Sequence, residues 1–557
     1  MKESKKTLKI IPLGGLEEVG RNMMLFEYDK DIIVFDMGLQ FPEEDMPGID
    51  YVIPDISYLK GKEKNIRGVI ITHAHYDHIG AIPHLSPKLG NPPIFSMPLT
   101  KAIIEKRQEE YDDKLNLKII RLDSKLKLGV FKLEFFHVNH NIPDVIGTII
   151  KTPEGIFIHT GDFKFDPHPV NDYPADFKKI KEIDKRGVTC LLSDSTGAES
   201  EGKQLSEKEI GKTIEEIFKK AKGRIIAATF SSLISRIQQI ISLSEKYGRK
   251  VYIDGFSMKT NVQIAQNLKY LKVRKGTLIK NPKILENLPL NKITILCTGA
   301  QGEDKAALMR IANREHRSIQ IEKDDLVIFS SSVVPGNEQT VQSLKDTLYR
   351  EGARVIHYQM MDVHVGGHGK QEDLKQMIKM VKPRYFIPIH GHYYLLRLHA
   401  DLAKEVGIKE KNIFVLNNGQ IVEFKNGIGK ITDKKVPTNY IMVDGLGVGD
   451  VGRVVLRDRE VMAKDGMFVI LATINSETGK LAREVDVISR GFVYMKESQK
   501  LIDETKEKVK QIVEKKASKE GTTNWAYVKD NIRDQIGAFL FQKTQRRPMV
   551  LPMVIEI

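Results

Sequence analysis

Over the first two hundred positions the apolar residues fall in short runs. Runs at 8–14, 23–28, 32–36, 68–72, 133–137, 147–151, 156–160 and 190–193 close on a polar residue or a glycine, the pattern of buried strands bounded by turns. A helical stretch around 99–111 lies between two of them. Asp36, His73, Asp162 and Asp194 stand at strand ends, where layered α/β folds build their sites. From about 205 to 358 the rhythm changes. Strands at 224–229, 251–254, 293–297 and 326–329 are each followed by a loop and a helical period, at 231–243, 257–268, up to 311, and 338–350. Four strand–loop–helix units in a row predict a doubly wound, mostly parallel sheet. A helix and strand ending at His390, then a hairpin over 414–424 turning at Asn417-Asn418-Gly419, return to the earlier style. The middle region therefore reads as an insertion. Beyond 427 a linker leads to strands at 453–456 and 467–474 and two amphipathic helices, one with Trp525, Val528, Ile532, Ile536 and Leu540 on a single face. The expected division is 1–204 with 359–426, an insertion at 205–358, a linker at 427–452 and a small α+β domain at 453–557.

Composition adds limits. A chain of 557 residues, 41% hydrophobic and 29% charged, is a multidomain globular protein that needs no covalent staples. Its two cysteines, Cys190 and Cys297, sit in apolar runs and form neither a disulfide framework nor a cysteine-rich metal site. No signal-peptide pattern and no run of ~20 apolar residues appears, so a soluble, cytoplasmic protein without membrane partners is expected. The net charge of +14 fits a lysine-rich proteome or an anionic partner, nucleic acid first, and does not choose between them.

The run His73-Ala-His75-Tyr-Asp77-His78 decides the chemistry. Alternate residues of a near-extended loop point the same way, so His73 and His75 can share one ion while Asp77 and His78 turn to a second. Imidazole with carboxylate suits zinc or a similar transition metal. Further donors stand at other strand ends: His140, Asp162 and His390. Ser231-Ser232-Leu233-Ile234, Ser330-Ser331-Ser332 and Gly299-Ala-Gln-Gly302 lie between strands and helix starts. Each reads as ordinary capping or as an anion grip.

Taken in order, Asp36, the His-x-His-x-Asp-His run, His140 and Asp162 resemble the metallo-β-lactamase fold. Asp194, His368 in His364-Val365-Gly366-Gly367-His368, and His390 resemble the three further motifs of its β-CASP branch of RNA-processing nucleases. The resemblance is greatest to the ribonuclease J family and spans the chain, with segments such as His159-Thr-Gly-Asp162 and Arg546-Arg547-Pro548-Met549. It implies an αββα sandwich, an inserted doubly wound β-CASP domain and a small α+β C-terminal domain. It implies two zinc ions, with manganese or magnesium as alternatives: one on His73, His75 and His140, the other on Asp77, His78 and His390, with Asp162 bridging. Asp36 would orient the ligand loop, and Asp77, Asp194 and His368 would take part in catalysis. Ser232, Leu233, Ile234, Ser331, Ser332 and the run His364, Val365, Gly366, Gly367, His368 would line the substrate path. A structural calcium ion would sit on Gly48, Asp50 and Asp444. The implied activity is two-metal hydrolysis of single-stranded, 5′-monophosphorylated RNA, from the 5′ end and internally, in RNA maturation and decay. The implied assembly is a homodimer or tetramer within an RNA-degradation complex. Three readings compete: a hydrolase of thioesters or lactams, a non-catalytic RNA-binding scaffold, and a DNA-directed nuclease of the same branch. RNA over DNA follows from the resemblance alone.

Overall fold

The computed structural model describes residues 6–303, 305–334, 336–475, 478, 480–516 and 525–557, the side chains of 516 and 525 excepted. It divides into two units: one formed by Met1–Gln40 with Val52–Ile441, the other by Phe41–Tyr51 with Met442–Ile557.

Two sheets face each other in the first unit. One runs Ile428–Lys435, Gln420–Lys425, Leu8–Gly14, Met23–Tyr28, Asp31–Phe35, Ile66–Ile70, Ile94–Ser96, Leu117–Ile119. The other runs Tyr385–Ile389, Val188–Asp194, Gly155–His159, Ile146–Thr152, Phe131–His137, Lys125–Leu128. Phe26, Phe35, Phe135, Phe157, Leu192 and Ile387 form the core between them. Register gathers the polar strand ends. Asp31–Phe35 and Ile66–Ile70 are parallel with Phe35 opposite Ile70, so Asp36 and Thr72-His73 leave at the same edge. Parallel pairing sets His159 against Leu192 and Asp194 against Ile389, which brings Asp162, Asp194 and His390 to one edge of the second sheet.

The inserted sheet is wholly parallel, in the order Leu278–Ile279, Lys250–Asp254, Ile293–Cys297, Ile225–Thr229, Leu326–Ser330, Arg354–His357. Helices cover both faces over two separate cores. In the second unit, Asp486–Arg490, Met467–Ile474 and Met549–Glu556 form a sheet under the helices Gln499–Lys516 and Trp525–Thr544. Val528, Ile532, Ile536 and Leu540 enter its core as the helical period predicts, while the Trp525 side chain lies outside the described residues.

Three expectations are corrected. The hairpin does not turn at Asn417-Asn418-Gly419. Those residues are spent on the first strand and the loop after it: Gly419 N–H donates to Pro12 O (2.7 Å) and Asn418 Nδ2 to Leu16 O (2.7 Å). The chain reverses at Asn426-Gly427, both at positive φ (52° and 69°), as a tight hairpin between right-twisted strands requires. The strand Ile428–Lys435 that follows occupies part of the expected linker. Arg453–Asp465 is a helix closed by Gly466 at φ 77°, and Val454-Val455-Leu456 was too short an apolar run to tell strand from helix. Among the described residues no helix is long and apolar enough to cross a membrane.

Candidate metal centre

Three imidazoles converge at the sheet edge. His73 Nε2 lies 3.0 Å from His75 Nδ1, and His140 Nε2 lies 3.1 Å from the same atom. Hydrogen bonds behind two rings settle what these atoms carry. Gly367 O accepts from His140 Nδ1 (2.8 Å), so His140 Nε2 is a lone pair. Thr72 Oγ gives its proton to Asp36 Oδ2 (2.9 Å) and accepts from His73 Nδ1 (3.1 Å), so His73 Nε2 is a lone pair too. Two lone pairs face one imidazole nitrogen, an arrangement that a shared cation satisfies. Burial drives His73 and His140 well below the ordinary imidazole range and His75 to about 4, so the rings are neutral at neutral pH, the form in which imidazole can bind a metal.

Beside them stand Asp77, His78, Asp162 and His390. Asp36 Oδ2 accepts from His78 Nδ1 (2.8 Å), turning Nε2 toward Asp162 Oδ2 (3.2 Å) and Asp77 Oδ2 (3.3 Å). Asp162 Oδ1 accepts from His390 Nδ1 (2.8 Å), while the buried Nε2 of His390 lies 3.4 Å from Asp77 Oδ2 and makes no hydrogen bond among the described residues. Asp162 Oδ2 also lies 3.7 Å from His73 Nε2, so one carboxylate reaches both clusters. Here burial disfavours charge on His78 and His390, but Asp162 and Asp77 more than offset it. His78 is raised well above its ordinary value and His390 to about 10. The same carboxylates would also favour a bound dication. The donor set, the convergent lone pairs and the orphaned His390 Nε2 fit metal binding.

The backbone is held in place for this. Asp36 and His390 both adopt positive φ (59° and 54°), a conformation costing about 1–3 kcal/mol that persists where surrounding structure enforces it. Asp36 Oδ1 also accepts from the Thr72 N–H (2.8 Å). Asn22 donates to Asp77 O (3.1 Å), and a Cβ on Gly38 would meet that oxygen at 1.5 Å. Asn22, Thr72 and Gly38 were not legible beforehand, because single small or polar residues carry no pattern.

Asp194 joins the second half of the site. Its Oδ2 accepts from His368 Nδ1 (2.7 Å), and its Oδ1 from the Thr196 N–H (2.9 Å) and hydroxyl (2.8 Å). His368 stacks edge-on to His140 and His390, with centroids at 4.9 and 5.6 Å. The loop that carries it is held by its carbonyls. Arg236 and Ser330 Oγ donate to Val363 O, Lys164 Nζ to Gly366 O (3.2 Å), His140 to Gly367 O, and Gln204 Nε2 to His368 O (2.8 Å).

Other expected residues divide. Leu233 is buried, and Ile234 and Val365 are buried in the insert's core. The Leu233 and Ile234 amides are used internally, by Phe230 O (3.1 Å) and Ser232 O (2.8 Å). Ser331 is buried and accepts from Gln301 Nε2 (3.2 Å), while Ser332 is exposed with its carbonyl taken by the same amide (2.6 Å). Ser232 and His364 remain partly accessible. In the second unit, Asp50 Oδ2 accepts from the Gly445 N–H (2.8 Å), and Asp444 is paired with Arg459. Arg459 Nη1 donates to Pro47 O (3.3 Å) and would meet a Cβ on Gly48 at 3.0 Å. The Arg459 guanidinium thus stands between Asp444 and Gly48.

Four family models match along the chain: metallo-beta-lactamase superfamily over 16–198, ribonuclease J beta-CASP domain over 222–348, Zn-dependent metallo-hydrolase RNA specificity domain over 355–416, and ribonuclease J C-terminal domain over 454–557. Ribonuclease J 1 of Streptococcus pyogenes serotype M3 is 41% identical over 548 residues, covering 98% of this chain and 97% of that one. Ribonuclease J2 of Bacillus subtilis strain 168 is 38% identical over 558 residues, covering both chains completely. A solved protein of unknown function from Enterococcus faecalis V583 superimposes with a TM-score of 0.54 at 14% identity, covering 75% of this chain and all of its own, and shares the fold alone. With ribonuclease J models matching its insert and its C-terminal region, and relatives aligned over nearly their whole length, this chain belongs to the ribonuclease J family.

Proposed function

We propose that the chain is a metal-dependent ribonuclease that hydrolyses phosphodiester bonds of single-stranded RNA at a two-zinc centre, with manganese or magnesium as alternative ions. The observation that carries this reading is the pair of histidine and carboxylate clusters that Asp162 reaches from one side chain. His73, His75 and His140 would hold one ion, and Asp77, His78 and His390 the other, with Asp162 between. When bound, such a pair supplies an activated water and neutralises charge developing on phosphate oxygens. The chain's own residues do the rest. Asp36 fixes the His78 ring. Asp194 fixes His368 through Nδ1, leaving Nε2 to face the substrate and pass a proton to the leaving 3′ oxygen. Glycines at 367 and 369 let this loop pack against the site, since a Cβ would lie 2.4 Å from His140 Cε1 at the first and 2.8 Å from Asp373 Cβ at the second. We assign 5′-monophosphorylated RNA as substrate, attacked from the 5′ end and internally, on the strength of the family resemblance and the basic chain.

The test uses end-labelled RNA carrying a 5′-monophosphate or 5′-triphosphate, with metal content measured on the same preparations. His75→Ala is expected to lose a metal ion and at least a hundredfold of turnover, on the order expected when a metal ligand goes. Wild-type turnover in a metal-poor His75→Ala protein would refute the metal centre. His368→Ala is expected to slow cleavage about 10²–10⁴-fold while retaining its metal; if metal is lost with it, His368 is a ligand. Single nucleotides mark action from the end, and discrete fragments mark internal cuts.

A further inference from the structure

A crevice of about 470 Å³ opens in the inserted sheet, and none of the histidines or aspartates of the metal centre lines it. Topology puts it there. Ile225–Thr229 and Ile293–Cys297 are adjacent and parallel. The helix following the first, Ile234–Lys246, packs on one face, with Ile237 and Ile241 in a core shared with Ile225 and Ala227. The helix following the second, Ala307–Ala312, packs on the opposite face, with Leu308 and Ile311 in a core shared with Ile226 and Ala228. Neighbouring strands whose connections depart to opposite faces leave a gap beyond their carboxyl ends, the place where open α/β sheets bind ligands. The crevice walls are the residues just past the strands: 229–231, 255–257 and 298–301. Gly255, at φ 99°, lets two of these turns close together, since a Cβ there would lie 2.4 Å from Thr298 Oγ1.

The lining has the chemistry of a nucleotide site. Phe256 opens the helix Phe256–Asn267 and is 77% exposed. Lys305, Arg310 and one carboxylate, Glu303, line the crevice. Arg310 Nη2 donates to Asp254 Oδ2 (3.2 Å), while its buried Nε has no partner among the described residues. An exposed ring beside cations and hydroxyls is how proteins hold a single strand, with the base stacked and the phosphate neutralised. Gln301 lines the crevice and also donates to Ser331 and Ser332, so the crevice shares a wall with the serine loop expected along the substrate path.

We propose that this switch-point crevice binds one nucleotide of the RNA strand, its base on Phe256 and its phosphate on Lys305 and Arg310, as a subsite separate from the metal centre. The assignment of RNA rests on the ribonuclease reading. The test is fluorescence anisotropy of the full-length, metal-loaded protein with cleavage-resistant phosphorothioate oligoribonucleotides of about four and about sixteen nucleotides, spanning the usual range of single-strand site sizes. Phe256→Ala is expected to weaken the longer strand about tenfold and to lower its advantage over the shorter one, as loss of a single base stack would. Lys305→Ala is expected to weaken the longer strand and to reduce the slope of log affinity against log salt by about 0.7. Wild-type affinity for the longer strand in both variants would overturn the proposal, as would an equal loss for both lengths. Loss of adenosine 5′-monophosphate binding with the longer strand unaffected would make the crevice a free-nucleotide site and overturn it too. Anisotropy reads binding without turnover. A wild-type protein that binds the strand and never cleaves RNA therefore refutes the ribonuclease reading while this subsite stands.

Discussion

Gly367 shows how narrowly the metal centre is built. Its carbonyl fixes the His140 ring, and a Cβ on it would lie 2.4 Å from His140 Cε1. No side chain fits there without moving the His140 ring. Gly367→Ala is expected to weaken metal binding about 10–100-fold, the usual cost of disturbing a group that orients a ligand. Metal retained after dialysis against graded chelator measures this. Gly366→Ala is the control: its Cβ would meet only the Gln204 side-chain amide, at 3.1 Å. Equal metal loss in both variants would mean that loop flexibility, not His140, is responsible. At this scale the sequence announced the donors and not their holders. Three histidines and an aspartate in six positions are improbable without a metal, whereas Asn22 and Thr72 become meaningful only when the fold sets them behind Asp77 and His73.

At the scale of elements, the His364–His368 loop is tied to the insert by a buried ion network. Glu207, at the start of the helix Glu207–Lys220, lies 2.7 Å from Arg236 Nη2 and 3.4 Å from Lys164 Nζ, with all three side chains buried. Arg236 continues to Val363 O, and Lys164 to Gly366 O. Burial by itself would raise Glu207, but Arg236 and Lys164 overcome it and hold the carboxyl at about 2 instead of 4.5. Because the folded value is depressed, the stabilisation is present above the unfolded value. It is lost as pH falls from about 4.5 toward about 2. Glu207→Gln is expected to cost about 3–5 kcal/mol at neutral pH, since it strands two buried cations. It should also flatten the acid limb of a urea-midpoint-against-pH curve. An unchanged acid limb would show that the carboxylate is not the group responsible. None of this network was legible, because Lys164, Glu207 and Arg236 are far apart in the chain and each resembles a surface charge.

For the whole molecule, metal binding couples to the stability of the unit that carries the donors. Each ion held at a hundred times its dissociation constant adds about 2.7 kcal/mol. Chelation is therefore expected to lower hydrogen-exchange protection in the two-sheet unit and to leave that of 467–474 in the C-terminal sheet unchanged. Equal loss in both would mean that unfolding is concerted across the chain. The sequence by itself determined the donor types, the alternation of strand-rich and doubly wound regions, and the family, because those signals are local: spacing, periodicity and strand-end chemistry. It misplaced the hairpin turn and one helix, where several local conformations satisfy the same short run. Tertiary structure alone decided that Asp162 lies within reach of both histidine clusters, that the side chains of Leu233, Ile234 and Val365 are buried, and that Arg459 stands between Asp444 and Gly48. It also opened the crevice between 229–231 and 298–301, for the same reason in each case. Sheet register and strand order bring together residues hundreds of positions apart, and no local pattern encodes that.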